Sequence, residues 1–175
     1  MIMKDWNKLN DDDTKIGVEG EWIIKNRVLY LYITYTNHKR DVLSDCLIIP
    51  TLRGNHMGLQ PFADWLRVWI DIKYMENEFD SITIFACSMG GGIAQILCND
   101  LTIPINKAIS IGGLNTTFKV HPKLELYINR GDLVPYLGLW FKRPKKKILN
   151  SAWQWPWKAH GTYDIEYLLK EYINA

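Results

Sequence analysis

One short segment, residues 84–94 with the sequence IFACSMGGGIA, limits the possible folds of this chain more than any other. The β-branched and apolar run at 81–86 (SITIFA) predicts a short buried strand, and residues 90–99 carry apolar side chains at helical spacing. Between them lies the densest glycine cluster in the sequence. The pattern predicts a sharp turn from strand to helix with Ser88 at its tip.

A serine at such a turn is favourably placed to act as a nucleophile, because its hydroxyl is exposed beside backbone amides that can receive an oxyanion. The strained backbone requires small residues two positions before and after it, and Ala86 and Gly90 meet this requirement. The amide of Met89, at the amino end of the helix, is the expected oxyanion donor. A purely structural turn is the alternative, and neither glycine motif typical of phosphate binding is present.

Apolar periodicity elsewhere alternates between strands and helices, which indicates an α/β domain with a largely parallel sheet. The predicted strands are residues 28–34, 46–49, 81–86, 107–111 and 124–128. The predicted helices are residues 61–74, with Pro61 in the first turn, residues 90–99, and a C-terminal helix bearing Ile165, Leu168, Leu169 and Tyr172. Residues 135–161 are poorest in regular patterns and are predicted to form a long, functional or mobile loop.

The chain has 175 residues, which predicts a single domain over residues 1–175. Its 47% hydrophobic and 23% charged residues exclude disorder and a disulfide-rich miniprotein. A net charge of +2 is too balanced to indicate a nucleic-acid partner. The one basic cluster, Lys145 to Lys147 after Arg143, is predicted to be a solvated loop.

The sequence contains no apolar stretch resembling a signal peptide or approaching the ~20 residues of a membrane span. We therefore expect a cytoplasmic protein without a membrane span. The three cysteines, Cys46, Cys87 and Cys98, lack the spacing of metal ligands and are predicted to be reduced and buried. Neither a metal nor an organic cofactor is expected.

A serine nucleophile of this kind requires an acid and then a histidine later in the chain. Asp132 follows the predicted strand at 124–128, and His160 is the only histidine beyond it, in a predicted loop before the last helix. Each residue also has a structural alternative, since Asp132 could form a turn and His160 could begin a helix. The remaining histidines, His38, His56 and His121, precede Asp132 and are predicted to be structural.

Several segments resemble the class 3 (fungal-type) lipases within the α/β-hydrolases. FACSMGGGIAQIL looks like their GHSLGGALA signature, INRGDLVPYL resembles their acid segment, and HGTYD is similar to their terminal His-x-x-Tyr. Upstream, YITYTNHKRDVLSD resembles their strand-Gly-Thr/Ser segment, and NHMGL is similar to their His-x-Gly-Phe. The resemblance implies a minimal α/β-hydrolase-like domain, a mostly parallel sheet flanked by helices.

Carried over to this sequence, the resemblance implies that Ser88 is the nucleophile, Asp132 the orienting acid and His160 the general base. It also implies that Thr36 and the Met89 amide form the oxyanion hole. The expected function is hydrolysis of carboxylic esters through an acyl-enzyme. Acyl transfer would use the same residues.

Three departures from the family pattern are Ala86 for Gly, Cys87 for His, and Tyr35 for the Gly before the oxyanion threonine. The bulky Tyr35 would weaken the oxyanion hole. This leaves a catalytically weak or inactive binding module with the same fold as the alternative function. The segment matching the family's lid, residues 37–44, is polar, so we expect small soluble or short-chain esters as substrates rather than interfacial activation.

Three tryptophans, Trp153, Trp155 and Trp157, lie just before His160. They could line a substrate pocket, mediate a dimer or partner contact, or cover the core from a long loop.

Overall fold

The computed structural model describes residues 5–9, 19–34, 50–138, 140–161 and 163. Seven strands form one sheet: β1 (Asn7–Leu9), β2 (Gly20–Lys25), β3 (Val28–Ile33), β4 (Ser81–Cys87), β5 (Ile105–Ile111), β6 (Leu124–Asn129) and β7 (Lys146–Asn150). The helices are α1 (Gln60–Met75), α2 (Met89–Asp100) and the short α3 (Pro156–Gly161), with a 3-10 turn at Val134–Tyr136.

The strands follow one another across the sheet in chain order. The first three pair antiparallel, and β3 to β7 pair parallel, which confirms the predicted mostly parallel sheet. The crossovers from β3 to β4 and from β4 to β5 run in the same direction, so α1 and α2 lie on one face. Leu66 and Ile70 of α1 and Ile93 of α2 belong to the same buried cluster as the alternate residues of β4.

The opposite face of the sheet carries a second, ring-rich cluster. Its buried members are Trp6, Tyr32, Phe85, Cys87, Ile109, Ile111 and Tyr127. The thiols of Cys87 and Cys98 are free and buried, as predicted, and burial raises the pKa of each to about 12.

The prediction of a long loop at residues 135–161 is wrong. This segment contains β7, which adds a fifth strand to the parallel part of the sheet, and the helix α3. Four of the five β7 residues are exposed, so the strand lacks the apolar run that identifies a covered parallel strand. The basic cluster is exposed, but Lys146 and Lys147 lie in this strand and not in a loop.

The sequence patterns also failed to predict β1 and β2, because one is three residues long and the other is an antiparallel strand of intermediate exposure. The predicted strand at 46–49, Cys46, His38, the segment at 37–44 and the C-terminal helical stripe lie outside the described residues. No helix in the described ranges combines the length and apolar character required to cross a bilayer.

Candidate functional site

Ser88 lies at the turn between β4 and α2, with φ 53° and ψ −122°. This is a positive φ at a residue other than glycine, and such strain persists only where the surrounding structure enforces it. Ser88 N–H donates to Ile111 O (2.9 Å), which ties the turn to β5. A Cβ on Gly90 would lie 2.6 Å from Ile33 O, so the small residue predicted two positions after the serine is required.

The side chains of Ser88, His160 and Asp132 form a continuous hydrogen-bonded array. Ser88 Oγ lies 2.9 Å from His160 Nε2, and His160 Nδ1 lies 3.1 Å from Asp132 Oδ2 and 3.2 Å from Oδ1. A carboxylate only accepts hydrogen bonds, so the imidazole proton belongs on Nδ1 and Nε2 accepts from the serine hydroxyl. Ser88 and Asp132, both predicted from the sequence, are therefore each within hydrogen-bond distance of the predicted base His160.

Asp132 follows β6 and is 1% exposed. Its Oδ1 accepts from the Val134 backbone N–H (2.9 Å), and its Oδ2 accepts from the Tyr163 hydroxyl. Both oxygens also face His160. A buried carboxylate with this many donors is held in one orientation, as the imidazole proton requires.

His160 lies in α3, which corrects its predicted placement in a loop. The preceding residue, Ala159, is tied at both ends: its N–H donates to Trp155 O (2.8 Å), and its carbonyl accepts from Asn129 Nδ2 (2.9 Å). Asn129 is the last residue of β6 and is buried. The base is therefore positioned by the strand that also carries the acid.

Tyr163, the last residue of the His-x-x-Tyr motif, supports the acid. Its hydroxyl donates to Asp132 and accepts from the Asn129 backbone N–H (3.0 Å). Burial, together with the hydrogen bond to Asp132, raises the pKa of Tyr163 well above its usual range, so the hydroxyl keeps its proton. The resemblance of HGTYD to the His-x-x-Tyr motif gave Tyr163 no role, and its contact with the acid becomes evident only in the structure.

The other predicted site residues fall in different places. Met89 is buried as the first residue of α2, next to Ser88, and Thr36 lies outside the described residues. His56 stacks on Phe141, with ring centroids 6.1 Å apart, and is remote in sequence from the array. His121 accepts the Lys123 amide at its Nδ1 (3.3 Å) in the turn before β6.

The side chains of Trp153 and Trp155 are 61% and 63% exposed, which excludes the alternative that these two rings cover the core. They contact each other edge to face, with centroids 5.5 Å apart. The backbone between them is held beside the acid loop, where Gln154 N–H donates to Arg130 O (3.2 Å). Gly131, with φ +101°, allows this approach, since a Cβ there would meet the Gln154 backbone.

In the described part of the chain, no three His, Cys, Asp or Glu side chains are grouped so that they could hold a metal ion. The available chemistry of the array is that of a hydroxyl, an imidazole and a carboxylate.

Solved structures with a similar fold include fungal lipases. A fungal lipase in complex with an inhibitor aligns with 76% of this chain and 61% of its own, at a TM-score of 0.60 and 15% identity. The Rhizomucor miehei lipase in a propeptide complex aligns with 76% of this chain and 52% of its own, at a TM-score of 0.57 and 12% identity. A triacylglycerol lipase from Penicillium expansum aligns with 82% of this chain and 69% of its own, at a TM-score of 0.53 and 13% identity.

This chain thus spans 52% to 69% of the lengths of these lipases. No protein-family model matches the sequence, and no curated protein matches it either. The structural similarity confirms the predicted lipase-like α/β-hydrolase fold: a mostly parallel sheet with Ser88 at the turn after a central strand.

Proposed function

We propose that the protein is a serine hydrolase that cleaves carboxylic esters through an acyl-enzyme. The observation that carries the proposal is the array from Ser88 Oγ through His160 to Asp132, with 2.9 Å and 3.1 Å separations. These distances fall in the range that proton transfer between a nucleophile and its base requires.

In the proposed reaction, Ser88 Oγ attacks the ester carbonyl while His160 Nε2 takes the hydroxyl proton. The negative charge formed on the carbonyl oxygen is received by the Met89 amide, with Thr36 as the second expected donor. His160 then gives its proton to the departing alcohol, which leaves the acyl group on Ser88. Water, deprotonated by His160, attacks the acyl carbonyl. The bond from this carbonyl to Ser88 Oγ then breaks, His160 returns the proton to Oγ, and the acid is released. Asp132 keeps the imidazole in the required tautomer throughout.

The expected substrates are small soluble or short-chain esters, and the expected site of action is the cytoplasm. The expectation about substrates comes from the polar residues at 37–44.

A fluorophosphonate probe, which reacts with activated serines, tests the nucleophile. The parent protein and a Ser151→Ala control, which removes an exposed serine, should be labelled equally, and Ser88→Ala should not be labelled. A folded parent protein that is not labelled would contradict the proposal and favour the non-catalytic binding module.

Asp132→Asn tests the acid. The change preserves shape but lets Asn donate to Nδ1, which favours the wrong imidazole tautomer; the same change in a serine protease lowers kcat about 10⁴-fold. We expect turnover of p-nitrophenyl acetate to fall by several orders of magnitude. Unchanged turnover would remove Asp132 from the proposed mechanism.

A further inference from the structure

Asn129, the last residue of β6, places a buried side-chain amide next to the ring-rich cluster. Residues 125, 127 and 129 of this strand share one face of the sheet, and Tyr127 on that face belongs to the cluster. Asn129 is 4% exposed. Because burying an amide is unfavourable unless its polar atoms form hydrogen bonds, the partners of this side chain identify its role.

The Asn129 side chain is bonded to the helix that carries the base. Its Nδ2 donates to Ala159 O at 2.9 Å, and Ala159 directly precedes His160. The Ala159 carbonyl lies in the same rigid peptide plane as the Cα of His160. A shift of this carbonyl therefore displaces His160 and, with it, the imidazole.

The helix α3 is too short to hold His160 in place without contacts to the rest of the fold. It has six residues, and isolated helices shorter than about 12 residues are marginal in water. The Ala159 N–H donates to Trp155 O, which is a bond within the same short segment. The bond from Asn129 Nδ2 is different, because it ties the backbone of α3 to the central sheet.

The backbone of Asn129 is bonded to the residues around the acid. Its carbonyl accepts from the Asp132 N–H (3.2 Å), and its N–H donates to the Tyr163 hydroxyl (3.0 Å), which in turn donates to the Asp132 carboxylate. A Cβ on Gly112 would lie 2.7 Å from the Tyr163 ring and 3.0 Å from Asp132 Oδ2, so these residues are closely packed against the end of β5. Asn129 therefore contacts the acid, the tyrosine that supports it, and the backbone next to the base.

The pairing of β6 with β7 is irregular at this position. Ile128 pairs with Ile148 and Asn129 with Asn150, so Leu149 of β7 has no counterpart. Such bulges redirect side chains and are frequent next to active sites. The sheet is thus locally adjusted at the residue that contacts both the acid and the base helix.

We propose that Asn129 is a positioning residue for the general base. Its side-chain amide sets the location of His160 through the Ala159 carbonyl, and its backbone holds Asp132. Acid and base thus keep one geometry relative to each other, while Ser88 is fixed separately between β4 and α2. The effect of Asn129 on turnover rests on the proposed function, whereas its effect on the backbone of α3 does not.

Asn129→Leu removes the donor and keeps a side chain that branches at the same carbon. We expect kcat for p-nitrophenyl acetate to fall about tenfold to a hundredfold, since a displacement of 1 Å costs about a hundredfold, while KM changes less than about threefold. Asn99→Leu is the matched control, because Asn99 Nδ2 also donates to backbone carbonyls, Gln95 O (3.1 Å) and Lys119 O (3.0 Å), but at the far end of α2. Both variants should be less stable than the parent in urea, and Asn129→Leu alone should lose turnover. Equal kcat in the two variants would overturn the proposal.

Asn129→Asp makes the same hydrogen bond depend on pH within one variant. A protonated carboxyl can donate to Ala159 O, whereas a carboxylate faces that carbonyl as a second acceptor. Burial raises the pKa of the new carboxyl above its usual value of about 3.9. We expect the ratio of variant kcat to parent kcat to be highest near about pH 5 and to fall at least about tenfold by pH 8. The neighbouring titratable groups, Asp132, His160 and Tyr163, are present in both proteins, so the ratio removes their contribution. A ratio independent of pH would show that Asn129 only fills space.

Hydrogen exchange at α3 tests the placement of the backbone without any turnover. Peptides covering residues 155–161 should exchange about tenfold faster in Asn129→Leu than in the parent and in Asn99→Leu, because the helix has lost its bond to the sheet. Unchanged exchange at 155–161 in Asn129→Leu would contradict the proposal. A parent protein that neither hydrolyses esters nor reacts with the fluorophosphonate probe would instead show that the proposed function is wrong, and the exchange measurement would still decide whether Asn129 holds α3.

Discussion

Removing the Tyr163 hydroxyl, with Tyr163→Phe, should destabilise the fold and slow turnover together. The hydroxyl donates to the buried Asp132 carboxylate and accepts from the Asn129 N–H at 3.0 Å. A hydrogen bond to a charged group contributes about 1.5–3 kcal/mol, and a buried N–H that loses its acceptor costs about 1 kcal/mol or more. Asp132 keeps the Val134 N–H and His160 as donors, so we expect a loss of about 2–3 kcal/mol in unfolding free energy.

The kinetic effect should appear in kcat and not in KM, because the hydroxyl that is removed contacts Asp132 and the Asn129 N–H. Loss of one of the groups that fix the carboxylate lets the imidazole move, and displacements below 1 Å are enough to lower kcat about tenfold. Urea unfolding followed by fluorescence measures the first effect, and hydrolysis of p-nitrophenyl acetate measures the second.

Tyr74→Phe is the matched control, since the Tyr74 side chain is partly exposed at 40% and lies in α1. It should change the unfolding free energy by less than about 0.5 kcal/mol. A Tyr163→Phe protein as stable and as active as this control would refute the positioning role of the hydroxyl. The stability measurement remains informative even if no ester is hydrolysed.

Two further predictions test the turn at Ser88 and the buried thiols. Gly90→Ala should destabilise the protein by about 1–3 kcal/mol, because the new Cβ would lie 2.6 Å from the Ile33 carbonyl oxygen; this outweighs the preference of alanine for helices. Gly161→Ala is the control, since a Cβ at Gly161 has no heavy atom within 4 Å, and it should leave the unfolding free energy in urea unchanged. Burial raises the pKa of Cys98 from 9.0 to about 12, so the unfolded thiol ionises while the folded one does not. The unfolding free energy should therefore fall above pH 9 by about 1 kcal/mol per pH unit because of this thiol. Cys98→Ala should make this dependence on pH less steep. An equally steep dependence in the variant would show that Cys98 ionises alike in the folded and unfolded states.

The parts of the fold that the sequence predicted are those buried on both sides. Residues 81–86 and 107–111 are rich in apolar side chains, and the structure extends each strand by one or two residues. The helix predicted at 61–74 spans Gln60–Met75, with its apolar stripe on the core. In these segments burial alone determines the residue types, so pattern and structure agree.

The parts that the sequence did not predict are the edges of the sheet and the supports of the site. The strand β7 pairs with β6 along one edge, and four of its five residues are exposed to solvent. Its sequence therefore shows no apolar periodicity that would predict a strand. The bond from Asn129 to Ala159 joins positions 30 residues apart, and only the folded chain brings them together. The order Ser88, Asp132, His160 could be inferred from motifs, whereas what holds His160 in place could not.

The two halves of the site are supported differently. Ser88 is fixed between β4 and α2, both of which are buried in the core. His160 lies on a six-residue helix, and its backbone is held through Ala159 and through the Trp155 carbonyl. A change that displaces Trp155 therefore acts on the base while the nucleophile stays fixed.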